Sequence, residues 1–254
     1  MTDPPTVGLI TGGAGGMGRA IAARIVRDGG TAVLADLDAG GLELAAREVE
    51  GADTVIADVS SVTECDRMVA TTLQRHGRLD LLVTAAGVWV EGPSAGMTEA
   101  HWNRTIDVNL KGTFFACRAA IPALVETQGS IVAISSDYGL VGGPEAAIYC
   151  ASKFGVNGLV RSLALELAPQ GVRVNSVCPA DVDTPMLAGQ ARDFGGGDPA
   201  GYLDALKATL PQGERARFIR PDEIASVVAF LASPDSAPIT GLCMPVEWGV
   251  TAGY

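Results

Sequence analysis

The stretch TVGLITGGAGGMGRAIAARIVR, residues 6–27, joins a short apolar run to a glycine-rich turn and then to an amphipathic helical pattern. Glycines let the backbone approach a pyrophosphate closely, and the free N–H groups at the start of a helix attract its charge. Gly13, Gly15 and Gly18 match the spacing G-x-G-x-x-G. Gly12, Gly16 and Gly18 match the wider spacing G-x-x-x-G-x-G. The stretch therefore predicts a strand, a dinucleotide-binding turn and a helix, and leaves the register of the glycines open.

Residues 13–20 also come close to the nucleotide-triphosphate loop G-x-x-x-x-G-K-[ST]. Arg19 and Ala20 stand where that loop has its lysine and its hydroxyl residue. Without the lysine that clamps the phosphates and the hydroxyl that binds magnesium, the chemistry of an ATPase is excluded.

Short β-branched runs alternate with longer helical patterns along the whole chain. The runs lie at residues 6–11, 31–36, 54–57, 79–85, 130–135, 172–177 and 242–246. Continuous apolar runs at 81–83 and 131–134 are typical of strands that are covered on both faces. We expect an α/β fold, a Rossmann-type doubly wound parallel sheet of about seven strands with helices on both faces, in a single domain 1–254.

Three intervals differ from the others. Residues 98–126 and 147–168 are helical in pattern and rich in small residues, so we expect them to pack against a twofold mate. Residues 187–213 are rich in glycine, aspartate and alanine, and predict a mobile loop that covers the substrate.

Composition excludes several classes of protein. The net charge is −11 and no run of Lys or Arg occurs, which disfavours nucleic acid and anionic membranes as partners. The first five residues lack the basic start and apolar core of an export signal, and no apolar run has membrane-spanning length, so we expect a cytoplasmic protein. Five cysteines without a C-x-x-C pair and only two histidines predict no metal site.

Asp36 ends the second predicted strand, 18 residues beyond Gly18. An acid at this place accepts hydrogen bonds from the ribose hydroxyls of adenosine and repels a 2′-phosphate. No Lys or Arg lies among residues 12–17 or directly after Asp36. We therefore predict NAD as the cofactor, in preference to NADP.

Three residues predict a hydride-transfer site. Tyr149 and Lys153 are four residues apart in a helical stretch and share one face. Ser136 lies 13 residues before Tyr149, just beyond a strand, at the edge of the sheet where open α/β folds place their sites. Hydride transfer requires a proton partner, and a phenol of pKa about 10 needs a neighbouring cation to act near neutrality. Tyr149 is the predicted proton-transfer group, and Ser136 is predicted to donate to the substrate oxygen.

Taken together, the glycine turn, Asp58, the run 85–87, Asn109, Ser136 and the pair Tyr149 and Lys153 resemble the short-chain dehydrogenase/reductase family over essentially the whole chain. The resemblance implies an NAD-dependent alcohol dehydrogenase or ketone reductase that assembles as a homotetramer. It also implies that Lys153 binds the nicotinamide ribose and lowers the pKa of Tyr149. Asn109 would hold a water in the proton relay.

The same resemblance implies contacts with the cofactor. Asp58 and Val59 would meet the adenine, and Val182 and Thr184 would meet the nicotinamide carboxamide. The full set of implied cofactor residues comprises Gly12, Gly16, Met17, Gly18, Asp36, Asp58, Val59, Ala86, Gly87, Tyr149, Lys153, Pro179, Val182 and Thr184. Two of the supporting residues have simpler readings, since Asn109 could merely interrupt its helix and Asp58 could cap the next one.

Three positions depart from the family's pattern. Thr84 stands where the family has an asparagine, Ala180 replaces a glycine after Pro179, and Trp248 is unusual near the end of the chain. Thr84 could alter hydrogen bonding between strands, and Ala180 restricts the backbone beside the expected nicotinamide. Trp248 could pack at a subunit contact or fill the core.

The predicted lining of the substrate side carries negative charge, and it comprises Trp89, Tyr138, Glu145, Ile148, Asp181 and parts of residues 187–213. Such a lining favours a neutral ketone, cyclic alcohol, dihydrodiol or sugar over an anionic acyl substrate. A 3-ketoacyl reductase is the alternative within the class, and its usual basic residue for NADPH distinguishes it. A non-catalytic NAD-binding regulator or a methyltransferase could share the glycine turn, but neither needs Ser136, Tyr149 and Lys153 together.

Overall fold

The computed structural model describes residues 6–253, in which seven parallel strands form one sheet. The strands differ from the predicted runs by at most two residues at either end. They are β1 Val7–Thr11, β2 Thr31–Asp36, β3 Asp53–Ile56, β4 Leu81–Thr84, β5 Ser130–Ile134, β6 Arg173–Pro179 and β7 Cys243–Val246. The predicted doubly wound sheet is confirmed, and the ends of the predicted domain, residues 1–5 and 254, lie outside the described residues.

The order of the strands creates a crevice at one edge of the sheet. The order is β3-β2-β1-β4-β5-β6-β7, so the chain runs outward from β1 on one side and returns to β4 on the other. Connections from β1 and β4 therefore diverge, which is where open α/β sheets bind ligands. The Thr11 hydroxyl at the end of β1 accepts hydrogen bonds of 3.2 Å from the N–H groups of both Ala85 and Ala86. These bonds hold the glycine turn beside the backbone that follows β4.

Nine helices connect the strands within the described residues. They are α1 Gly16–Arg27, α2 Ala39–Glu48, α3 Val62–His76, α4 Glu99–Ile106, α5 Thr113–Thr127, α6 Ala147–Leu167, α7 Pro185–Phe194, α8 Pro199–Ala208 and α9 Pro221–Ala232. The predicted helical interval 98–126 consists of α4 and α5, joined without a break by the π-helical segment Asp107–Gly112. None of the helices in residues 6–253 combines the length and low polarity needed to cross a bilayer.

Helices cover both faces of the sheet because successive strand residues point to opposite sides. Leu9 and Leu82 belong to the apolar cluster formed with α3, α5 and α6. Ile10 and Val83 belong to the cluster formed with α1, α2 and α9. All four side chains are buried. The central strands therefore bury apolar side chains on both faces, as the continuous runs predict.

Residues 187–213 do not form the predicted loop, because α7 and α8 occupy most of this segment. Each helix begins after a capping residue, although the glycine content of the segment suggested a loop. The Thr184 hydroxyl caps α7 and the Asp198 carboxylate caps α8. Proline stands at the first position of both helices, where its fixed φ suits the helix and its missing N–H is not needed.

Candidate active site

The glycine turn between β1 and α1 is too tightly packed to accept side chains. Gly12 has a φ of +69°, and a Cβ placed on it would lie 2.7 Å from the backbone of Ala85 and Ala86. A Cβ on Gly18 would lie 2.3 Å from the Gly12 carbonyl oxygen. Gly16 is the first residue of α1. Gly12 and Gly18 pack directly against each other, so neither position has room for a side chain. This packing explains two of the three glycines in the wider spacing G-x-x-x-G-x-G.

The start of α1 is open to an anion. Gly15 occupies the cap position and has no side chain that could cap the helix. No acidic residue lies in the first turn. The first N–H groups of the helix and the positive end of its dipole therefore face the crevice without a protein partner of opposite charge. This cradle fits the pyrophosphate of a dinucleotide. Met17, in the same turn, lines the cavity that also contains Tyr149.

Asp36 is held beside the glycine turn by two backbone groups. Its carboxylate accepts hydrogen bonds of 3.0 Å from the N–H groups of Ala14 and Asp38. The negative charge therefore has a fixed place at the end of β2, next to the turn that would bind phosphate. This is the position from which an acid reaches the ribose hydroxyls of adenosine.

Asp58 organises the turn before α3. One oxygen of its carboxylate accepts the N–H of Ser60 at 2.8 Å and the Ser60 hydroxyl at 2.7 Å. Ser61, and not Asp58, supplies the helix cap of α3. Val59 is buried, and a Cβ on Gly112 would lie 2.9 Å from its side chain. The predicted contact of this pair with adenine stays a prediction.

Asn109 clamps the segment after β4 to α6. Its side-chain oxygen accepts the N–H of Val88 at 2.8 Å, and its amide donates to the Val88 carbonyl at 3.0 Å and to the Ser152 hydroxyl at 3.1 Å. It lies in the π-helical segment, so it also interrupts the regular helix. A Cβ on Gly87 would lie 3.5 Å from the Asn109 side-chain oxygen and 3.8 Å from the Lys153 ammonium. The clamp thus places Gly87 and Lys153 side by side.

Lys153 is buried within α6, and its ammonium group donates to the carbonyl oxygen of Ile134 at 2.9 Å. Burial lowers its pKa to about 8 because a charged amine is disfavoured away from water. The ammonium nitrogen lies 5.6 Å from the centre of the Tyr149 ring. The Lys153 side chain therefore passes along the ring of Tyr149 and ends at β5.

Tyr149 faces the cavity from the first turn of α6. Burial holds its pKa above the ordinary value, and the carboxylates of Asp137 and Asp181 act in the same direction, whereas its hydrogen bond with Ser136 opposes them. The Lys153 ammonium group is bonded to Ile134, and its expected lowering of the pKa of Tyr149 stays a prediction. Its ring also packs on Trp89, with 4.5 Å between the ring centres.

Ser136 follows β5 in extended backbone, with φ −164° and ψ 162°. Its hydroxyl donates to the Asp137 carboxylate at 2.7 Å and accepts the N–H of Tyr138 at 3.1 Å. Ser136 is 7% exposed and lines the same cavity as Tyr149. The structure therefore brings together the predicted proton-transfer group and the predicted substrate-orienting hydroxyl.

The segment after β6 lies against the start of α1. Val182 pairs with Ile219 in an isolated parallel bridge. The Thr184 hydroxyl donates to the Val182 carbonyl at 3.1 Å. A Cβ on Gly16 would lie 3.0 Å from the Thr184 methyl group. Pro179, Val182 and Thr184 all line the cavity. The residues assigned to the nicotinamide carboxamide are thus adjacent to the glycine turn and to Tyr149.

The cavity has a volume of about 370 Å³ and lies at the carboxyl edge of the sheet. Four of the five predicted lining residues are present, namely Trp89, Tyr138, Glu145 and Asp181. Ile148 is not in the lining, because its side chain is buried on α6. Side chains from α7 and α8 complete the wall opposite Tyr149, among them Met186, Leu187, Gln190, Tyr202 and Leu206.

Sequence reasoning did not single out Glu91 or Asp137, and it included Tyr202 only as part of the segment 187–213. The Glu91 carboxylate accepts hydrogen bonds from the Trp89 indole at 2.9 Å and from the Tyr202 hydroxyl at 2.8 Å. The second bond spans 111 residues and ties α8 to the segment after β4, so no local pattern could reveal it. Asp137 directly follows Ser136, and this adjacency was an available signal.

Among the residues that the structure describes, the lining of the cavity includes acids but no Lys, Arg or His. Burial raises the pKa of Asp181 to about 6, and the carboxylates of Asp137 and Glu91 add to the effect. No protein donor in the described residues makes a hydrogen bond to the Asp181 carboxylate, which therefore faces the cavity with free acceptor sites.

The three departures from the family's pattern have different structural outcomes. Thr84 is buried, and its hydroxyl has no hydrogen-bond partner in the described residues. Ala180 continues the line of β6 by donating to the Val246 carbonyl at 3.2 Å, and it does not have a positive φ. Trp248 has a φ of +60° and is 38% exposed, and the Arg217 guanidinium stacks over its ring at 4.6 Å. It does not fill the core.

The chain is similar to known proteins over nearly its whole length. A family model described as enoyl-(acyl carrier protein) reductase matches residues 12–251. The chain is 38% identical over 246 residues to meso-2,3-butanediol dehydrogenase of Serratia marcescens, covering 96% of this chain and 94% of that protein. It is 34% identical over 247 residues to 3-oxoacyl-(acyl-carrier-protein) reductase FabG of Thermotoga maritima, covering 95% and 96%.

A solved structure is also similar throughout. The ligand-free aldohexose dehydrogenase of Thermoplasma acidophilum has a TM-score of 0.88 and 33% sequence identity, and the match covers 97% of this chain and 94% of that one. Sequence and structure are therefore matched over nearly the full length, with the glycine turn, Ser136, Tyr149 and Lys153 in one site. The chain belongs to the short-chain dehydrogenase/reductase family, and it is an oxidoreductase that acts between a secondary alcohol and its ketone.

Proposed function

We propose that the chain is an NAD-dependent dehydrogenase of a neutral secondary alcohol, such as a cyclic alcohol, a diol or a sugar. The observation that carries the proposal is the meeting of three residues in one cavity. Met17 comes from the start of α1, Ser136 from the end of β5 and Tyr149 from α6. A substrate in this cavity lies beside both the phosphate-binding turn and the predicted proton-transfer group.

Each residue of the site has a chemical task in this proposal. Tyr149 takes the proton from the alcohol or returns it to the ketone oxygen, and Ser136 orients that oxygen. A nicotinamide cofactor held at the glycine turn would supply the hydride acceptor or donor. Lys153 binds the nicotinamide ribose, and its positive charge favours the phenolate of Tyr149 when its ammonium group turns from Ile134 towards the cofactor side. Asn109 holds the backbone near Gly87 next to α6, which carries Lys153.

The preference for NAD rests on charge at the end of β2. The fixed carboxylate of Asp36 favours ribose hydroxyls and repels a 2′-phosphate. Arg19, the basic residue closest in sequence to the glycine turn, forms an ion pair with Glu48 at 2.8 Å. Its charge is therefore already engaged by a carboxylate.

The class of substrate rests on the lining of the cavity. Free carboxylate oxygens and the absence of basic residues in the lining favour a neutral molecule with hydroxyl donors. Two proteins to which the chain is similar, meso-2,3-butanediol dehydrogenase and aldohexose dehydrogenase, are named for a diol and a sugar. The similarity to a 3-oxoacyl-(acyl-carrier-protein) reductase keeps a ketoacyl reductase as the second candidate. The acidic lining disfavours the anionic carrier that such an enzyme meets.

We also propose a cytoplasmic homotetramer. Four large apolar side chains on α4, α5 and α6 are well exposed: Trp102, Phe114, Phe154 and Leu165. A second copy of the chain would cover them through a twofold contact of these helices. The five cysteines are all unpaired thiols, which is typical of a reducing compartment. Light scattering of the purified chain tests the assembly, and a monomer at working concentration contradicts it.

The function is tested by following the absorbance of reduced nicotinamide. The purified chain is incubated with NAD or NADP and a panel of neutral cyclic alcohols, vicinal diols and sugars, together with a 3-hydroxyacyl thioester. Wild type reduces NAD with a member of the neutral panel, and Tyr149→Phe does so at least about 100-fold more slowly. Calorimetry with NAD provides the control, because Tyr149→Phe should still bind the cofactor.

Three other results have distinct meanings. Turnover of the thioester alone favours the ketoacyl reductase. Binding of NAD without turnover of any substrate favours a regulator that uses NAD as a ligand. Full activity of Tyr149→Phe contradicts the role proposed for Tyr149.

A further inference from the structure

Ser136 and Asp137 form a hydrogen-bonded pair inside the cavity. The Ser136 Oγ lies 2.7 Å from Asp137 Oδ1, and the N–H of Tyr138 donates to both oxygens, at 3.1 Å and 2.9 Å. The three residues are consecutive, at the end of β5 and in the short turn that follows. The backbone N–H of Tyr138 therefore holds both side-chain oxygens next to each other.

A serine hydroxyl has a single proton, and this proton can go to only one acceptor. An ionised carboxylate has no proton to offer, so Ser136 must be the donor in its bond with Asp137. While that bond exists, Ser136 presents only lone pairs to the cavity. It can then accept a hydrogen bond from an alcohol, but it cannot donate one to a ketone oxygen.

The groups that face Asp137 come from several elements, and none of them is basic. Tyr138 lies in the same turn, Tyr149 on α6, Asp181 after β6 and Glu247 after β7. Burial and the Glu247 carboxylate raise the pKa of Asp137, whereas the bonds from Ser136 and Tyr138 oppose this. Protonation of Asp137 is therefore easier than for an exposed aspartate.

We propose that Asp137 is a positioning residue that sets the direction of the Ser136 hydroxyl. The ionised carboxylate holds the Ser136 proton away from the substrate. When Asp137 is protonated, or replaced by a weaker acceptor, the hydroxyl is free to donate to the substrate oxygen. This inference rests on the proposed function, in which Ser136 orients the oxygen of a ketone or alcohol in the same cavity.

The consequence concerns the charge that develops during reduction. As the hydride reaches the ketone carbon, the carbonyl oxygen becomes negative, and a donor aimed at it stabilises the transition state. An ionised Asp137 competes for this donor with a charge-assisted hydrogen bond, which is stronger than a neutral one. Removing the charge of Asp137 should therefore increase the rate, which is the opposite of the loss expected when a purely structural contact is removed.

The test compares wild type, Asp137→Asn, Ser136→Ala and the double variant. Asparagine keeps the shape of Asp137 and its acceptor for the Tyr138 N–H. The kcat/KM for reduction of cyclohexanone by NADH is measured from pH 5 to pH 9, a range of about four units that brackets neutrality. Asp137→Asn should raise kcat/KM at pH 7 by about tenfold, the size expected for release from a charge-assisted bond. Any dependence of kcat/KM on the ionisation of Asp137 should be absent in Asp137→Asn.

The Ser136→Ala background separates this effect from general electrostatics. In that background Asp137→Asn should give no gain, because no hydroxyl is present to be released. Asp181→Asn serves as the matched control, since it removes a carboxylate from the same cavity without touching Ser136. Any change it causes should persist when Ser136 is replaced. A gain from Asp137→Asn that survives in Ser136→Ala, or a loss with a kept fold, overturns the proposal.

A second measurement needs no turnover. Carbon-13 NMR of labelled aspartate follows the titration of the Asp137 carboxyl in wild type and in Ser136→Ala. Loss of the donated bond should raise the pKa of Asp137 by about one unit. An unchanged pKa overturns the inference even if the enzyme is active. A raised pKa in a protein that reduces no ketone supports the pairing of Ser136 with Asp137 and contradicts the proposed function instead.

Discussion

The ammonium group of Lys153 donates to the carbonyl oxygen of Ile134 at 2.9 Å and so connects α6 to the end of β5. Ile134 is the last residue of its strand, directly before the segment that contains Ser136. The bond anchors the buried cation 5.6 Å from the centre of the Tyr149 ring. Lys153 thus has a structural partner of its own within the site.

The pKa of Lys153, which burial lowers to about 8, predicts a dependence of stability on pH. Unfolding returns the amine to its ordinary pKa of about 10.4, so the unfolded chain binds more protons between these two values. The cost of a buried ammonium is present below pH 8 and is lost as the pH rises towards 10. The free energy of unfolding of wild type, relative to Lys153→Met, should therefore increase over this interval. Urea unfolding at pH 7, 8, 9 and 10 measures the difference, and a constant difference contradicts the prediction.

Asp36 predicts how the choice of cofactor can be changed. Asp36→Asn removes the charge and keeps an acceptor for the N–H of Ala14, whereas Asp36→Ala removes both. Both variants should lower the ratio of kcat/KM for NAD to that for NADP by about tenfold or more, because a repulsion of about 1–2 kcal/mol is lost. Only Asp36→Ala should also weaken NAD binding through a loosened glycine turn. Initial rates with each cofactor measure the ratio, and an unchanged ratio removes the argument from charge.

The hydrogen bond between Tyr202 and Glu91 holds α8 against the segment after β4, and both residues line the cavity. We therefore expect this bond to keep α8 in place over a bound substrate. Tyr202→Phe removes the hydroxyl that ties α8 to the segment after β4. A hydrogen bond to a charged group contributes about 1.5–3 kcal/mol, so KM for the best alcohol should rise about tenfold or more while kcat changes little. Asp204→Ala, an exposed change on the same helix, is the control. Equal KM values for Tyr202→Phe and wild type would show that this bond does not hold a cover.

Thr84 and Thr11 predict opposite effects of the same substitution. The buried Thr84 hydroxyl has no partner in the described residues, so Thr84→Val should leave the free energy of unfolding unchanged or raise it by about 1 kcal/mol. The Thr11 hydroxyl accepts the N–H groups of Ala85 and Ala86, so Thr11→Val should lower it by about 1–3 kcal/mol. Chemical unfolding of both variants checks the contrast. Destabilisation by Thr84→Val as large as that by Thr11→Val would contradict it.

Much of the fold was predictable because its signals are local. Apolar runs covered on both faces located the seven strands to within two residues of their observed ends. The glycine content of residues 187–213 suggested a loop. The structure instead has two helices in this segment, which Thr184 and Asp198 cap. Ile148 was placed in the cavity, although its position on α6 turns it into the core. One residue of displacement along a helix rotates a side chain by about 100°, so short-range spacing alone could not decide its direction.

The sequence by itself determined the positions of the seven strands, the glycine turn, the acid at the end of β2 and the spacing of Tyr149 and Lys153. All of these depend on backbone periodicity and on residues close together in the chain. Only the tertiary structure decided that Lys153 reaches Ile134, that Glu91 joins Tyr202 across 111 residues, and that acids from the segments after β4, β5 and β6 line one cavity. These contacts arise because parallel strands bring their carboxyl ends to one edge of the sheet, where distant segments become neighbours.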